Sequence, residues 1–298
     1  MTEQLDQTDR VVVTPPDPAQ VDRVVAVALA EDLRDGPDVT TAATVPPALI
    51  GTGFITPRAA GVLAGAPVAA AVLAQVDPSL TLTVLVPDGG TLVPGVPAMR
   101  ITGPVASMLT AERTVLNLLT HLSGIATATR AWVDAVAGTG ARIRDTRKTL
   151  PGLRTLEKYA VRCGGGVNHR MSLGDAALIK DNHVAAAGSV AAAVAAVRST
   201  DPHIALEVEV DTLVQLDEAL AAGATVVLLD NFDLADTAEA VRRTRAAAPS
   251  VALESSGGLT LDRATAVAAT GVDFIAVGAL THSAPALDLG LDLDVPTR

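Results

Sequence analysis

Positively charged side chains are concentrated in one stretch of an otherwise acidic chain. The 298-residue sequence has a formal net charge of −11, yet residues 141–183 contain nine lysines and arginines, including all three lysines of the protein. Arginine binds carboxylates and phosphates through paired hydrogen bonds, and lysine supplies a compact, mobile charge. The stretch therefore predicts a pocket for a small substrate that carries several negative charges.

Four of these cations stand where predicted strands or loops end: Arg147, Lys148, Arg170 and Lys180. His169 precedes Arg170, just after the glycine run at residues 164–166. We assign the four cations to the anion pocket. The glycine run is not a nucleotide-binding P-loop, because no Gly-Lys-Ser/Thr follows it.

Three further cations, Arg154, Lys158 and Arg162, recur every four residues in a predicted helix, LRTLEKYAVR. This spacing, with Glu157 between them, is typical of ion pairs on a helix surface. We therefore expect a solvated helix face here, outside the pocket.

Acidic side chains mark two predicted strands. In ALEVEV the alternation places Glu207 and Glu209 on one strand face, and Asp230 ends the next strand. Carboxylates opposite bound phosphates suggest Mg²⁺ held jointly by the protein and a pyrophosphate. They could also stabilise an oxocarbenium-like centre or pair with Lys148 or Lys180, and these roles do not exclude one another.

Glycines end the last two predicted strands, in SSGG at residues 255–258 and VGAL at residues 277–280. In barrels of alternating strands and helices, a phosphate commonly binds at the loops after the last two strands, where glycine lets the backbone approach closely. Ordinary tight turns are the alternative for either motif alone. The pair favours a phosphate site.

Alternating elements would position all these groups. Six strand-like runs alternate with Ala-rich helical segments: ARIRDT, AALIKDNH, IALEVEVDT, TVVLLDNF, VALESSGG and FIAVGAL. This alternation predicts a parallel sheet or barrel, and the polar ends of its strands should meet at one face. Before it, the spacing of Val115, Leu116, Leu119 and Leu122 predicts a helix that joins two domains, with Thr110 as its N-cap.

Composition excludes several classes of function. Aromatic residues make up only 2% of the chain, which together with the net negative charge argues against nucleic-acid binding. The single cysteine, Cys163, excludes a disulfide framework and any multi-cysteine zinc site, so we expect it to be a packed residue. The apolar run at residues 59–76 predicts a buried or amphipathic helix rather than a membrane span, because glycines and a proline interrupt it. With a polar N-terminus, these features predict a cytoplasmic protein.

Six motifs in fixed order carry a family resemblance: AERTVLNLLTHLSGIAT, DTRKTLPGLRTLEKYAVRCGGGVNHR, LIKDNH, LEVEVD, LLDNF and ESSGGL. With them the chain resembles the quinolinate phosphoribosyltransferases from about residue 21 to residue 291. The resemblance implies that quinolinate and phosphoribosyl pyrophosphate react, with Mg²⁺, to nicotinate mononucleotide, pyrophosphate and CO₂.

The resemblance also implies roles for individual residues. Those implied to surround quinolinate are Arg113, Arg147, His169, Arg170 and Lys180, with Thr146 also in the binding set and Lys148 close to both substrates. Those implied to receive phosphoribosyl pyrophosphate are Glu209 and Asp230 at the ribose and Mg-pyrophosphate, and Ser256, Gly257, Gly278 and Ala279 at the 5′-phosphate. We take Lys148, Lys180, Glu209 and Asp230 as the catalytic set.

The implied fold is an incomplete parallel α/β barrel with a smaller N-terminal α/β sandwich. We place a flexible tail at residues 1–14, the sandwich at 15–122 and the barrel at 123–283, with a tail at 284–298 that returns to the sandwich. The resemblance further implies a homodimer whose active site takes Arg113 from the neighbouring subunit. Alternatives are a homologue acting on another acid, such as nicotinate, and a non-catalytic metabolite-binding barrel.

Overall fold

The computed structural model describes residues 13–295. Its helices are α1 (Pro18–Asp32), α2 (Val39–Thr44), α3 (Ala66–Val76), α4 (Val105–Ala135), α5 (Arg154–Cys163), α6 (Asp181–Ala187), α7 (Val190–Thr200), α8 (Leu213–Ala221), α9 (Leu234–Ala247), α10 (Ala264–Ala268) and α11 (Ala279–His282). Its strands are β1 (Ile50–Pro57), β2 (Gly61–Val62), β3 (Thr81–Val84), β4 (Thr91–Leu92), β5 (Met99–Pro104), β6 (Arg142–Arg144), β7 (Ala177–Ile179), β8 (Leu206–Val210), β9 (Val226–Asp230), β10 (Ala252–Ser256), β11 (Phe274–Ala276) and β12 (Leu289–Asp294). Of the predicted tail, residues 1–12 lie outside the described residues.

The chain divides into two units. Unit 1 comprises the residues up to Thr127, Thr155–Gly165 and the residues from Ala284, and unit 2 comprises Ala128–Arg154 and Gly166–Ser283. The first boundary falls inside the long helix α4. Helix α5, apart from its first residue Arg154, belongs to unit 1, although its neighbours in the sequence belong to unit 2.

Unit 1 is built on an antiparallel sheet in the strand order β12-β1-β5-β3. Strand β12, near the C-terminus, pairs with β1 from Thr52↔Asp294 to Pro57↔Leu289. Helix α3 covers only the second part of the apolar run at residues 59–76, because the run begins with strand β2. None of the helices in the described part of the chain has the length and apolar character that crossing a membrane requires.

Unit 2 contains the predicted parallel sheet, in the strand order β6-β11-β10-β9-β8-β7. All five strand pairings are parallel. No ladder joins β6 to β7 within the described residues, so the barrel is incomplete. In β9, Val227, Leu228 and Leu229 are all buried, as expected for a strand covered on both faces. The predicted fold class is therefore confirmed.

Capping residues explain where three helices of unit 2 begin. Ser189, Thr212 and Asp233 precede α7, α8 and α9, and each side chain accepts a hydrogen bond from the backbone N–H three residues on, at 3.1, 3.2 and 2.8 Å. These bonds satisfy backbone donors that have no partner inside the helix. The three caps therefore fix the residues at which α7, α8 and α9 begin.

Two local predictions were wrong. Thr110 is not an N-cap, because α4 begins at Val105 and Thr110 lies inside it. The face of α5 is not solvated: Glu157 and Lys158 are both 0% exposed, and Arg154 and Arg162 are half-buried. Glu157 lies 2.9 Å from His121 Nε2, so the charges of this helix have partners within the protein.

Candidate active site

Nine of the sequence-predicted site residues line one cavity of about 390 Å³ in unit 2: Thr146, Arg147, Lys148, His169, Arg170, Lys180, Glu209, Asp230 and Ser256. The lining also includes four residues that were not predicted: Leu178, Leu228, Glu254 and Ala276. The cavity lies where the parallel strands end, which is the usual location of binding sites in such sheets. We call it the strand-end pocket.

The register of the sheet brings the acidic residues of the pocket together. Glu209 on β8 is level with Leu228 on β9, and Leu228 is level with Glu254 on β10. Two residues further along these strands, Asp230 on β9 is level with Ser256 on β10. Because residues in register on parallel strands face the same side, these side chains form two rows across the pocket wall.

Hydrogen bonds fix the loop that carries Lys148. Its backbone N–H donates to Thr146 Oγ1 at 3.0 Å, and its carbonyl accepts from Thr281 Oγ1 at 2.8 Å. At Gly278 a Cβ atom would lie 3.1 Å from Lys148 Cδ, which is closer than such contacts usually are. Gly278 therefore leaves the space that the lysine stem occupies.

The cations of the pocket differ in their partners. Lys180 Nζ lies 2.5 Å from Glu209 Oε2, so its charge is already paired. Within residues 13–295, Arg147 and Lys148 form no ion pair, and Arg147 Nε is buried without a hydrogen-bond partner. A buried guanidinium nitrogen without a partner is costly unless a ligand supplies an acceptor.

Burial and, after it, the crowding of charges shift two pKa values in the pocket. Burial lowers the pKa of Arg170, and the nearby charge of Arg147 lowers it further. Burial also raises the pKa of Asp230, with a further rise from Asp211, while Lys180 and Lys148 act in the opposite direction. Like charges held close together in this way are typical of a site that binds an oppositely charged ligand.

A buried network adjoins the pocket. His169 Nδ1 accepts a hydrogen bond from the backbone N–H of Arg170 at 2.7 Å, so the proton of a neutral imidazole must be on Nε2. Nε2 lies 2.8 Å from Glu207 and 3.8 Å from Glu254. Both ring nitrogens of His169 therefore have partners within the protein. The hydrogen bond from the Arg170 backbone fixes the position from which the Arg170 side chain extends.

Glu254 is the most strongly perturbed acid of this network. It is fully buried, and its carboxylate lies 2.6 Å from Arg144 Nη1. Burial raises its pKa to about 7, and Glu207 adds to the rise, while Arg144 and His169 oppose it. The groups of His169, Glu207 and Glu254 are close enough to hold a metal ion. We interpret them instead as a hydrogen-bonded network, because Arg144 already supplies positive charge to Glu254.

Four predicted site residues do not line the pocket. Gly257 follows Ser256 directly, and Gly278 and Ala279 follow β11, so these three border the strand ends. Arg113 is different: it is an exposed residue of α4 in unit 1. Glu254 was missed as a site residue, although it stands two residues before Ser256 and hence on the same strand face.

The arrangement can bind a ligand with several anionic groups. Four cationic side chains and three carboxyls line the pocket, and two of the cations, Arg147 and Lys148, form no ion pair within residues 13–295. Fixed cations facing a developing negative charge are an effective means of stabilising a leaving anion. The pocket therefore suits transfer of a group away from phosphate or pyrophosphate.

Two family models match the chain. The model described as quinolinate phosphoribosyl transferase, N-terminal domain, matches residues 38–123, and that for the C-terminal domain matches residues 125–292. Together they cover most of the chain, including every residue that lines the strand-end pocket.

Similar proteins agree with the family models. The chain is 59% identical to a nicotinate-nucleotide pyrophosphorylase (carboxylating) of Mycobacterium leprae, over 89% of this chain and 94% of that protein. It is 40% identical to the Homo sapiens protein of the same name, over 87% and 88% of the two chains. Its fold matches the solved structure of the nicotinate-nucleotide pyrophosphorylase from Francisella tularensis with a TM-score of 0.89 and 40% identity, over 97% of this chain and 100% of the other.

Proposed function

The chain belongs to the quinolinate phosphoribosyltransferase family, and we propose that its strand-end pocket is where quinolinate and phosphoribosyl pyrophosphate react to nicotinate mononucleotide, pyrophosphate and CO₂. This is a step of NAD biosynthesis. The enzyme is a pentosyl-transferring transferase of the carboxylating nicotinate-nucleotide pyrophosphorylase type.

One observation carries the assignment of the reaction to this pocket. Arg147 and Lys148 stand at the strand ends and form no ion pair with any residue that the structure describes, beside Arg170 and the paired Lys180. Quinolinate has two carboxylates, and the donor has a 5′-phosphate and a pyrophosphate. A single cleft must then offer cations to both molecules, which explains why an acidic chain places its cations here.

Positions around the pocket suggest how the two substrates divide it. Arg147, Arg170 and Lys180 would take the carboxylates of quinolinate, with His169 holding Arg170, and Lys148 would lie close to both substrates. Glu209 and Asp230 would face the ribose and the pyrophosphate. Thr146 Oγ1 accepts a hydrogen bond from the backbone N–H of Lys148 and so positions Lys148. The 5′-phosphate would lie at the glycine-bordered ends of β10 and β11: Ser256, Gly257, Gly278 and Ala279.

Mg²⁺ fits the acidic side of the pocket. Glu209 and Asp230 offer the hard oxygen ligands that Mg²⁺ prefers, and such sites usually share the ion with substrate phosphates. Four cations against three carboxyls leave little net positive charge for a substrate with a pyrophosphate and two carboxylates. When bound, the ion would neutralise charge on the pyrophosphate.

The chemistry needs two stages. The bond between ribose C1 and the pyrophosphate oxygen breaks first, and the ring nitrogen of quinolinate then forms a bond to the cationic C1. Lys148 and the other fixed cations stabilise the departing charge. The pyridinium ring next accepts the electron pair of the C–C bond as the adjacent carboxylate leaves as CO₂, and that ring carbon takes a proton.

A homodimer would complete the site. Arg113 is exposed and does not line the pocket of its own chain. The family resemblance implies that Arg113 is supplied to the pocket of a second copy. Cytoplasmic location remains a prediction from the sequence.

A product assay tests the function. Purified protein with quinolinate, phosphoribosyl pyrophosphate and Mg²⁺ should release CO₂ and nicotinate mononucleotide in equal amounts. Nicotinate in place of quinolinate should be a poor substrate, because it leaves one carboxylate site of the pocket unfilled. Folded protein that gives no product from quinolinate, or prefers nicotinate, would contradict the proposal.

A further inference from the structure

Asn231 has an unusual backbone conformation at the edge of the pocket. It follows Asp230 at the end of β9, and its φ of 57° is the only positive φ of a non-glycine residue in the described part of the chain. The left-handed region costs most L-residues free energy, though asparagine tolerates it better than others. Such conformations persist where the surrounding structure requires them, and they are frequent at functional sites.

The side chain of Asn231 contacts the acid beside it. Its Nδ2 atom donates a hydrogen bond to Asp230 Oδ2 at 2.7 Å. An ionised carboxylate can only accept, so the donor end of the amide must face Asp230 and the carbonyl end must face away. The amide thus holds the Asp230 carboxylate in one orientation.

The same residue also contacts the next strand end. Its backbone N–H donates to the Ser256 carbonyl at 2.9 Å. A Cβ atom at Gly257 would overlap Asn231 Oδ1, and Gly257 itself has a φ of 93°. The asparagine side chain therefore fills the space that the glycine leaves open.

We propose that Asn231 is a positioning residue that ties the Asp230 carboxylate to the Ser256–Gly257 turn. This inference rests on the proposed function, in which Asp230 faces the ribose and pyrophosphate and the turn receives the 5′-phosphate. Asn231 would thus keep Asp230 and the Ser256–Gly257 turn, the two contact points for phosphoribosyl pyrophosphate, at a constant distance from each other. The quinolinate cations Arg147 and Arg170 lie outside this link.

Asn231→Gly is the most informative variant. Glycine adopts the left-handed conformation without strain, so the turn and the fold should persist while the amide is lost. At saturating quinolinate and Mg²⁺ we expect KM for phosphoribosyl pyrophosphate to rise, or kcat to fall, by at least about tenfold, because small misplacements in a site are costly. The Kd for quinolinate, measured by calorimetry, should stay within about twofold of wild type.

Asn231→Asp gives a second, shape-conserving test. It replaces the donor by a second carboxylate beside Asp230, so it should show the same selective loss for phosphoribosyl pyrophosphate. Asp233→Ala is a matched control from the same loop, because it removes the cap of α9 without touching Asp230. We expect it to lower Tm and to leave KM for phosphoribosyl pyrophosphate unchanged.

Two results would overturn the inference. One is wild-type kinetics in Asn231→Gly, which would show that the residue serves only the turn. The other is an equal loss of affinity for quinolinate, which would show a general collapse of the pocket. An inactive wild-type protein would instead contradict the proposed function, so the two failures can be told apart.

Discussion

Single residues of the pocket differ in what a ligand must displace. Lys180 is neutralised by Glu209 at 2.5 Å, so an anion that approaches Lys180 must compete with a carboxylate. Within residues 13–295, the buried Nε atom of Arg147 has no hydrogen-bond partner and Lys148 has no ion pair. An anion that binds Arg147 or Lys148 satisfies a polar group and breaks no existing ion pair. We therefore expect these two residues to contribute more than Lys180 to the affinity for anionic substrates.

Glu254 leads to a prediction about stability and pH. Its pKa rises from an ordinary value of 4.5 to about 7 in the folded protein. Between these values the folded state binds the proton more strongly than the unfolded chain does. The contribution of Glu254 to the free energy of unfolding is therefore fully present below pH 4.5 and is lost as pH rises towards 7.

Glu254→Gln should remove this dependence, because glutamine cannot ionise. Relative to wild type, the variant should gain stability between pH 4.5 and 8, by on the order of 1–3 kcal/mol. Urea denaturation of both proteins across this range measures the difference. Parallel curves for the two proteins would show that folding does not raise the pKa of Glu254.

The pocket residues were predictable from the sequence to the extent that they end strands. Arg147, Lys148, Lys180, Asp230 and Ser256 stand at the ends of predicted strands, and such positions meet at one edge of a parallel sheet. Other roles depend on contacts that a sequence does not contain. The conformation of Asn231 arises from the packing of two loops, and the buried network joins His169, in the loop after α5, to Glu207 on β8 and Glu254 on β10.

At the scale of elements, the alternation of apolar runs and helical segments predicted the parallel sheet because each strand is a local pattern. Burial of α5 was not predictable in the same way. Its charge spacing suits an exposed face, yet Lys158 is fully buried. Helical periodicity shows which residues share a face, whereas burial depends on what packs around the helix.

The start of α3 gives a prediction at this scale. Gly65 has a φ of +119°, and a Cβ atom there would lie 3.0 Å from Leu119. The N–H groups of Gly65 and Ala66 both donate to Asp88, at 3.1 Å. A side chain at Gly65 would strain the backbone and disturb this cap.

Gly65→Ala should therefore lower the free energy of unfolding by about 1–3 kcal/mol. Gly174→Ala is the matched control, since a Cβ there meets nothing within 4 Å, and it should change stability by less than about 0.5 kcal/mol. Urea midpoints compare the two. Equal midpoints would mean that the Gly65 conformation is not strained by a side chain.

At the scale of the whole molecule, the proposed dimer makes a prediction about complementation. Arg113→Ala and Lys148→Ala would each inactivate every site of their own homodimer. In a heterodimer of the two, one site would combine an intact Lys148 with an intact Arg113 from the other chain. Because the two sites of a symmetric dimer are equivalent, such heterodimers should recover about half of wild-type turnover.

Co-expression with two affinity tags would isolate these heterodimers for a kcat measurement. The parent variants, purified in the same way, supply the baseline. Heterodimers no more active than either parent would show that Arg113 does not act across a subunit interface. Isolation of monomers alone would contradict the dimer itself.

The central claim is that Arg147 and Lys148, which form no ion pair in the described part of the chain, receive the substrates. The most direct measurement compares kcat/KM for quinolinate in wild type, Arg147→Ala and Lys148→Ala, with exposed Arg263→Ala as a charge-matched control. We expect kcat/KM to fall by about 100- to 1,000-fold in the two pocket variants, because each loses one preorganised group that stabilises charge. The control should keep the wild-type kcat/KM. All four proteins should show the same circular dichroism. Wild-type kcat/KM in folded Arg147→Ala and Lys148→Ala would contradict the account.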